Sequence, residues 1–379
     1  MSTRIGPWPL GIDNLTPDAE LPPGALRVAD DVLLQEGGTA HSGYGARLAV
    51  PAPGLACLWA APNGQAYGVM GSQVVQVTRS SVIPLGDVGA NGRACFAEHA
   101  GQVIAATRSG LYQVGAEVAP LGLPAPAFQV RAVEHGGLDA GRYGVAVAAL
   151  RGAEEFGLSA ILFVDVPQGG GLSLDVTGDG MARIYRTSAN GAELYRAVDA
   201  PAGLPDFLLG AGKLGAMPTG RNLELMPGGQ LLRSWQGRLL VANGRTLAYS
   251  QPMRPALWDG RHNFVRFPTP ITMIAPVRSG VFVADHRSVY FLAGTDPEQW
   301  SSTLLDAAVP VHGTGSVVPG NLFTDVPNEP VALWLSRLGF VVGLPDGQLV
   351  MPQASRLRLN DSLSGSLAVL DRRLFALAL

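Results

Sequence analysis

A short apolar hairpin recurs along most of this 379-residue chain, each time turning at a glycine. The copies read CLWAAPNGQAYGVMGSQVVQV from Cys57, CFAEHAGQVIAATRSGLYQV from Cys95, LLRSWQGRLLVANGRTLAYS from Leu231, MIAPVRSGVFVADHRSVYFL from Met273 and ALWLSRLGFVVGLPDGQLVM from Ala332. The shared glycines are Gly64, Gly101, Gly237, Gly280 and Gly339. Small and β-branched residues follow each, and Val74, Leu111, Leu247, Tyr290 or Leu349 stands ten residues beyond. A truncated sixth copy, LAVLDRRLFALAL, begins at Leu367. Repeats of strands and turns with no helical stretch between them predict a radial or stacked all-β array.

The glycine-to-glycine steps are 37 residues from Gly64 to Gly101, 43 from Gly237 to Gly280 and 59 from Gly280 to Gly339. A four-stranded propeller blade consumes about 40–50 residues. The step from Gly101 to Gly237, 136 residues, is too long for one blade and must hold an insertion. The half-repeat after Leu367 needs partners, and Val28–Leu34 and Gly43–Val50 are two short extended segments that would complete its blade. A ring closed by strands from both ends of the sequence leaves no unpaired sheet edge. The expected fold is an all-β propeller of about six blades, closed by N- and C-terminal strands. Propeller residues are placed at 1–124 and 206–379, with the insertion at 125–205.

Inside the insertion the turn chemistry changes. AGRYGVAVAAL, SAILFVDV, LSLDV, ARIYRTS and ELYRAVD alternate as strands, separated by EEFG, PQGGG, TGDG and ANGA, which are read as turns. That spacing suits a small β-sandwich. Its order, G-x-Y-x-V, a Gly-Leu-Ser bend, then I-Y-R-T, resembles a fibronectin type III module, without that fold's usual early tryptophan. Extra strands on a blade are the alternative.

Composition fits such a fold: Gly 49, Pro 29 and only 15% charged residues. A formal net charge of −3 gives no global pull on nucleic acid. The opening MSTRIGPWPLGIDN has no apolar core of signal-peptide length, and no run of about 18 apolar residues occurs, so synthesis in the cytosol without a membrane span is expected. Cys57 and Cys95 occupy equivalent places on two successive opening strands, where small side chains fill a core. A disulfide between adjacent blades is the sharper alternative, and cytosolic synthesis argues against it.

No catalytic constellation stands out. His41, His99, His135, His262, His286 and His312 are each isolated, without metal-ligand spacing, and are expected on loops or the surface. Asp175 and Asp179 in DVTGDG resemble a calcium loop only superficially and make a good hairpin turn. Neither Gly169-Gly170-Gly171 nor Gly313 with Gly315 is followed by the lysine and helix of a phosphate loop. Asp285, Asp296, Asp306 and Glu98 are the carboxylates a propeller hydrolase would need at its axis, yet none sits in a recurring context. No metal and no cofactor are expected, and the chain is read as not an enzyme.

The segment GIDNLTPDAELPPGALRVADDVLLQEGGTAHSGYGARL resembles the opening of β-propeller virion proteins of tailed bacteriophages. The matching residues are Leu21, Pro22, Gly24, Leu26, Arg27, Ala29, Asp31 and Val32, then Gly37, Gly38, Gly43 and Tyr44. Asp31 replaces the usual asparagine, and His41-Ser42 an arginine-rich pair. Residues 226–360 are similar to the same family through MPGGQLLRSWQGRLLVANGRTLAYSQPMRPALWD, ITMIAPVRSGVFVADHRSVYFLAGTDPEQW and ALWLSRLGFVVGLPDGQLV.

The resemblance implies a structural component of the tail, like the hub, nozzle or packaged-DNA stabilisation proteins of short-tailed phages. Such subunits sit side by side in a ring around the DNA channel, with no cofactor and no active site. The expected assembly is a hexameric ring in the virion tail. Its neighbours are other tail or head-to-tail connector proteins, and its contact with genomic DNA is passive. A propeller lectin for carbohydrates or receptors and a glycan-degrading propeller enzyme are the alternatives.

Trp235 and Trp334, inside hairpins, are expected in the core. Trp258 and Trp300, in turn-rich loops, are candidate interface anchors. Arg233, Arg238, Arg245, Arg254, Arg261 and Arg266, crowded into one stretch, are candidates for a channel wall, against the alternative that they solvate loops.

Overall fold

The computed structural model describes residues 9–28, 32–34, 39–42, 50–89, 91–323, 326, 328–359, 364–370 and 373–378. Among them the architecture is all-β, interrupted by three short 3-10 turns. Five four-stranded antiparallel sheets follow one another along the chain. Sheet I comprises Leu55–Ala60, Ala66–Met70, Gln73–Val77 and Val82–Asp87, and sheet II Cys95–His99, Gln102–Ala106, Leu111–Val114 and Val118–Pro120. Sheet III comprises Leu231–Trp235, Arg238–Asn243, Thr246–Tyr249 and Phe264–Arg266. Sheet IV comprises Ile271–Val277, Gly280–Asp285, Val289–Ala293 and Ser301–Leu305. Sheet V comprises Ser316–Pro319, Pro330–Ser336, Gly339–Gly343 and Leu349–Val350.

Strict alternation gives each sheet two apolar faces, so the sheets pack in chain order with a shared core in every gap. Tyr67, Val69 and Val74 of sheet I meet Phe96, Val103 and Ala105 of sheet II. Ile104 and Ala106 of sheet II meet Leu232, Leu239 and Val241 of sheet III. Leu240 and Leu247 then meet Ile274, Val281 and Val283, and Phe282 meets Trp334 and Val341. Trp235 and Trp334 are 7% and 0% exposed, as expected for the core. The first strand of sheet III touches those of sheets II and IV, and that of sheet IV touches the first two strands of sheet V. This is the face-to-face, inner-strand-to-inner-strand order of propeller blades.

The pivots work as turns for a stereochemical reason. Gly101 (φ 77°) and Gly237 (φ 70°) follow Ala100 (φ 50°) and Gln236 (φ 48°), the left-handed pairs that a tight hairpin needs. Gly280 serves differently: a Cβ there would stand 2.3 Å from the Leu292 carbonyl oxygen.

The fifth copy of the hairpin departs from the expected register. In sheets I to IV the recurring hairpin forms strands one and two, but in sheet V it forms strands two and three, because Ser316–Pro319 precedes it. The long step from Gly280 to Gly339 is filled by that extra inner strand. The hairpin therefore runs upside down relative to its predecessors. Ser279, after the first strand of sheet IV, donates to the carbonyl of Pro345, which follows the third strand of sheet V.

Gly365–Leu370 and Arg373–Ala378 pair as a two-stranded hairpin whose Leu367 and Leu374 join the outer core of sheet V. Val32–Leu34 pairs with Ala40–Ser42. Among the described residues these two hairpins are separate sheets, not one closing blade, and residues 43–49 lie outside the description.

The insertion holds two facing sheets. One is Phe128–Leu138, Gly170–Val176 and Phe207–Leu209. The other is Glu154–Leu158, Gly141–Arg151, Met181–Arg186 and Tyr195–Pro201, with Leu162–Val166 pairing the first half of Gly141–Arg151. Leu172, Leu174, Val145, Val147 and Ile184 fill the space between them. All five strands expected there exist, but Glu154–Leu158, read as a turn, is a strand. Its Phe156 is 0% exposed and enters the core between sheets II and III, a gain that outweighs the local turn preference. Phe128–Leu138 is an additional strand.

Candidate functional site

Chemistry-bearing side chains gather where the inner strands of sheets II and III meet. Cys95–His99 and Leu231–Trp235 run side by side, and His99 Nδ1 lies 2.9 Å from Ser234 Oγ. His99 is 6% exposed, so it is not the surface residue expected, and burial holds its pKa below the ordinary histidine value. The ring is therefore neutral near pH 7. Arg233, one residue from Ser234, donates to the carbonyl of Leu232 at 2.8 Å, to Cys95 Sγ at 3.6 Å and to the carbonyl of Gly315 at 3.2 Å. It thus joins sheets II and III to the segment that leads into sheet V.

The other candidate arginines do not share a wall with it. Arg238 is buried, donates to the Ser250 carbonyl at 2.9 Å and lies 3.5 Å from Asp296 and 3.8 Å from Glu298. Arg245 is exposed on a turn and reaches the Pro268 carbonyl at 3.4 Å. Arg254 donates to the carbonyls of Thr219 and Glu155. Arg261 forks onto Asp259 at 2.9 and 2.7 Å, and its guanidinium draws the Asp259 carboxyl down to about 2. Arg266 lies over the Phe264 ring on the outer strand of sheet III. Successive strands of a blade step outward from the inner strand, so arginines adjacent in sequence spread along the sheet.

Trp300 donates its indole N–H to the Gly294 carbonyl at 3.1 Å and packs 5.5 Å from the Trp235 ring. Trp258 is half-buried against the core between sheets II and III, and its buried Nε1 has no partner among the described residues.

The four carboxylates occupy separate contexts. Asp285 is 1% exposed: burial raises its pKa, but the N–H groups of Arg287, Ser288 and Thr269 outweigh that and hold it below the ordinary value. Asp296 caps a 3-10 turn and faces Arg238. Glu98 is half-buried and Asp306 exposed. Among the described residues no group of three or more His, Cys, Asp or Glu could hold a metal. Cys57 and Cys95 are free thiols. Cys57 does not fill the core: it is exposed on a bulge with φ 53°.

A cleft of about 350 Å³ opens between sheets IV and V, lined by Arg287, Arg337, Arg358, Ala307, Ala308, Val309 and Leu338. Sequence reading missed it because its arginines come from three different loops.

No family model and no curated protein matches the chain. Among solved structures it is similar to BBS1N in complex with ARL6DN, at 12% identity over 87% of this chain and 91% of that one, TM-score 0.35. A gluconolactonase, XC5397 from Xanthomonas campestris, matches at 12% identity over 83% of this chain and 79% of that one, TM-score 0.34. The Pan2 WD40 domain of Neurospora crassa matches at 10% identity over 83% and 82%, TM-score 0.31. The architecture given above rests on the sheet order and the shared cores, not on these likenesses.

Proposed function

We propose that the chain is a non-catalytic structural component of a bacteriophage tail. In this reading it is a closed propeller of about six blades carrying a fibronectin type III-like sandwich. It assembles as a hexameric ring around the DNA channel, against other tail or head-to-tail connector proteins. The observation that carries the reading is the fold of the motif-bearing segment 11–27. Gly11–Ile12 pairs in parallel with Ala25–Leu26, and buried Asp13 accepts from the N–H groups of Leu15 and Thr16 at 3.1 and 2.9 Å. Arg27 donates to Asp18 and to the carbonyl of Thr16. The folded segment is then tied to the far end of the sequence, where Asn14 N–H bonds the Arg356 carbonyl at 2.9 Å.

The segment that carries the resemblance is thus tied to the loop beyond sheet V, and in the proposed ring it serves as a clasp between the two ends of the blade array. A closed ring needs such a clasp. The strand pairs Val32–Leu34 with Ala40–Ser42 and Gly365–Leu370 with Arg373–Ala378 supply four strands between them, the number one blade needs. In the assembled tail they form the sixth sheet.

Imaging of intact particles tests the reading directly. Density for this chain as a ring on the tail axis is the expected result, and its absence from the virion overturns it. With purified protein, removing residues 365–379 should expose strand edges and cause aggregation; a soluble truncated chain that unfolds cooperatively would refute closure by the two ends.

A further inference from the structure

We infer that the edge strand Leu162–Val166 of the insertion pairs with the same strand of a second copy of this chain. The strand lies at the margin of its sheet. Its ladder is with residues 141–145, in unbroken register from Gly141↔Val166 to Val145↔Leu162. Among the described residues no other main-chain hydrogen bond reaches residues 162–166.

The direction of the open groups follows from the neighbouring bonds. Ser159 N–H donates to the Val147 carbonyl and Thr187 N–H to the Gly144 carbonyl, both at 2.9 Å. Main-chain groups alternate in direction along a strand, so those of Tyr143 and Val145 point toward Leu162–Val166 and those of Gly144 point away. Val164 and Leu162 therefore spend theirs on that ladder. The N–H and C=O groups of Phe163 and Asp165 face outward, unpaired.

The rest of this margin is sealed. Glu154–Leu158, on the same side of Gly141–Arg151, runs beside Glu224–Leu225, and Arg254 takes the Glu155 carbonyl. The outer strands of the blades are blunted in the ways that keep sheet edges from pairing. Sheet I has Pro84 and a register shift, and sheet II has Pro120. Sheets III and V end in three and two residues, and sheet IV in Ser301, Ser302 and Thr303. Leu162–Val166 has no proline, no basic residue and no bulge, while Leu162 and Phe163 are 39% and 53% exposed.

A second copy fits because the strand is complementary to itself about Val164. An antiparallel pair centred there sets Phe163 opposite the second copy's Asp165, so the groups left open bond one another, twice on each side of the two-fold axis. Leu162 then lies against the second copy's Val166. That is the face on which Val164 and Val166 meet the sandwich core, so the apolar layer runs through the joint. Asp165 stands between Arg142 of its own sheet and the second copy's Phe163, with no like charge opposite. Centring on Asp165 would oppose two carboxylates, and centring on Phe163 would carry the pairing past Leu162 to Ile161, outside the strand.

The inference does not rest on the tail reading. A two-fold contact makes pairs of chains and cannot by itself build a ring, so a ring on the tail axis would survive the loss of this edge. The test is sedimentation of the full chain over a range of concentrations, in which a monomer–dimer equilibrium is expected. Asp165→Pro removes an outward N–H from each copy without touching the inner ladder, and should weaken dimerisation about tenfold or more. Leu162→Lys, which sets a charge against the second copy's Val166, should weaken it as well. Leu304→Ser, at an equally exposed apolar residue on sheet IV, should leave it unchanged.

Cross-linking reads the register, in a Cys57→Ala, Cys95→Ala background. Val164→Cys should form a disulfide dimer on mild oxidation, because directly opposed residues of a non-bonded pair lie about 4.5 Å apart. Phe163→Cys should not, because it meets its twin only diagonally, at about 7–8 Å. A monomer at every concentration, association indifferent to both Asp165→Pro and Leu162→Lys, or cross-linking through Phe163→Cys but not Val164→Cys overturns the inference.

Discussion

Arg254 donates its Nη2 to the main-chain carbonyl of Glu155 at 2.6 Å, across 99 residues of sequence. Its Nη1 takes the Thr219 carbonyl at 3.2 Å, so one guanidinium joins the loop between the third and fourth strands of sheet III to both the inserted sandwich and its return segment. Arg151 does the same from the other side, donating to the carbonyls of Leu121 and Pro120. Together with Phe156, buried between sheets II and III, these contacts dock the insertion firmly on the array. The sandwich is continuous with the blade core at this point, so the two share part of their stability.

Phe156→Ala should therefore destabilise more than the sandwich. Removing a fully buried phenylalanine costs about 3–5 kcal/mol, and the cavity would lie beside Leu239 and Ile104 as well as Ala149. Urea unfolding followed by tryptophan fluorescence should show a lowered midpoint for the blades, because every tryptophan described lies outside the insertion. Arg254→Ala should cost less, about 1–3 kcal/mol for the carbonyls left unpaired, and should increase proteolysis between residues 210 and 224. An unchanged blade transition in Phe156→Ala would mean that the sandwich is energetically independent.

The sandwich has its own charged network. Arg183 forks onto Asp199 at 2.8 and 2.9 Å and reaches Glu155 at 3.1 Å, while Tyr185 donates to the same Glu155 carboxylate. Burial and the bond to Glu155 push the Tyr185 hydroxyl well above the ordinary tyrosine range. Glu155 is only 5% exposed, so Arg183→Ala leaves a buried carboxylate without its cation, at a cost of about 3–5 kcal/mol. Adding Glu155→Gln to that variant should recover part of the loss. Chemical denaturation of the two variants checks this, and equal destabilisation in both would show that the charge of Glu155 is not what Arg183 offsets.

The two kinds of glycine pivot make a sharper comparison. Gly280→Ala places a Cβ against the Leu292 carbonyl at 2.3 Å, a backbone atom that cannot swing away. At Gly339 (φ 84°) the nearest atom to a Cβ is Gln353 Oε1 at 2.7 Å, the end of a flexible side chain. Gly339→Ala should cost about 1–2 kcal/mol from its left-handed backbone, and Gly280→Ala more, through a shift of sheet IV. Thermal melts of both variants decide the order.

How much of this was legible in the sequence follows from what a local pattern can carry. Period-two alternation around each glycine marks the hairpins and places Trp235 and Trp334 in the core. The same pattern says nothing about which strand precedes a hairpin, so the inversion of the fifth copy could not be read from it. EEFG looks like a turn by its charges and glycine, yet Phe156 gains more from a distant core than those residues lose by extending. The arginines from Arg233 to Arg266 are neighbours in sequence but step outward strand by strand, and those at 287, 337 and 358 meet only because three loops end at one rim. His99 looked like any isolated histidine until the inner strand of sheet III covered it.

That burial gives His99 a measurable signature. Its ring lies 2.9 Å from Ser234 Oγ, and desolvation lowers its pKa from the ordinary 6.5. In the unfolded chain the imidazole takes up a proton as the pH falls through about 6.5, whereas in the folded protein it resists until a lower pH. The unfolded state thus binds more protons in that window, and stability rises with increasing pH there. The contribution of the neutral ring is fully present above the unfolded value and is lost as the pH drops toward the folded one. Wild-type melting temperature should decline between about pH 7 and pH 5 more steeply than that of His99→Gln, whose amide still reaches Ser234 and does not titrate. Parallel curves for the two proteins would show that the His99–Ser234 seam does not set the acid limit of the array.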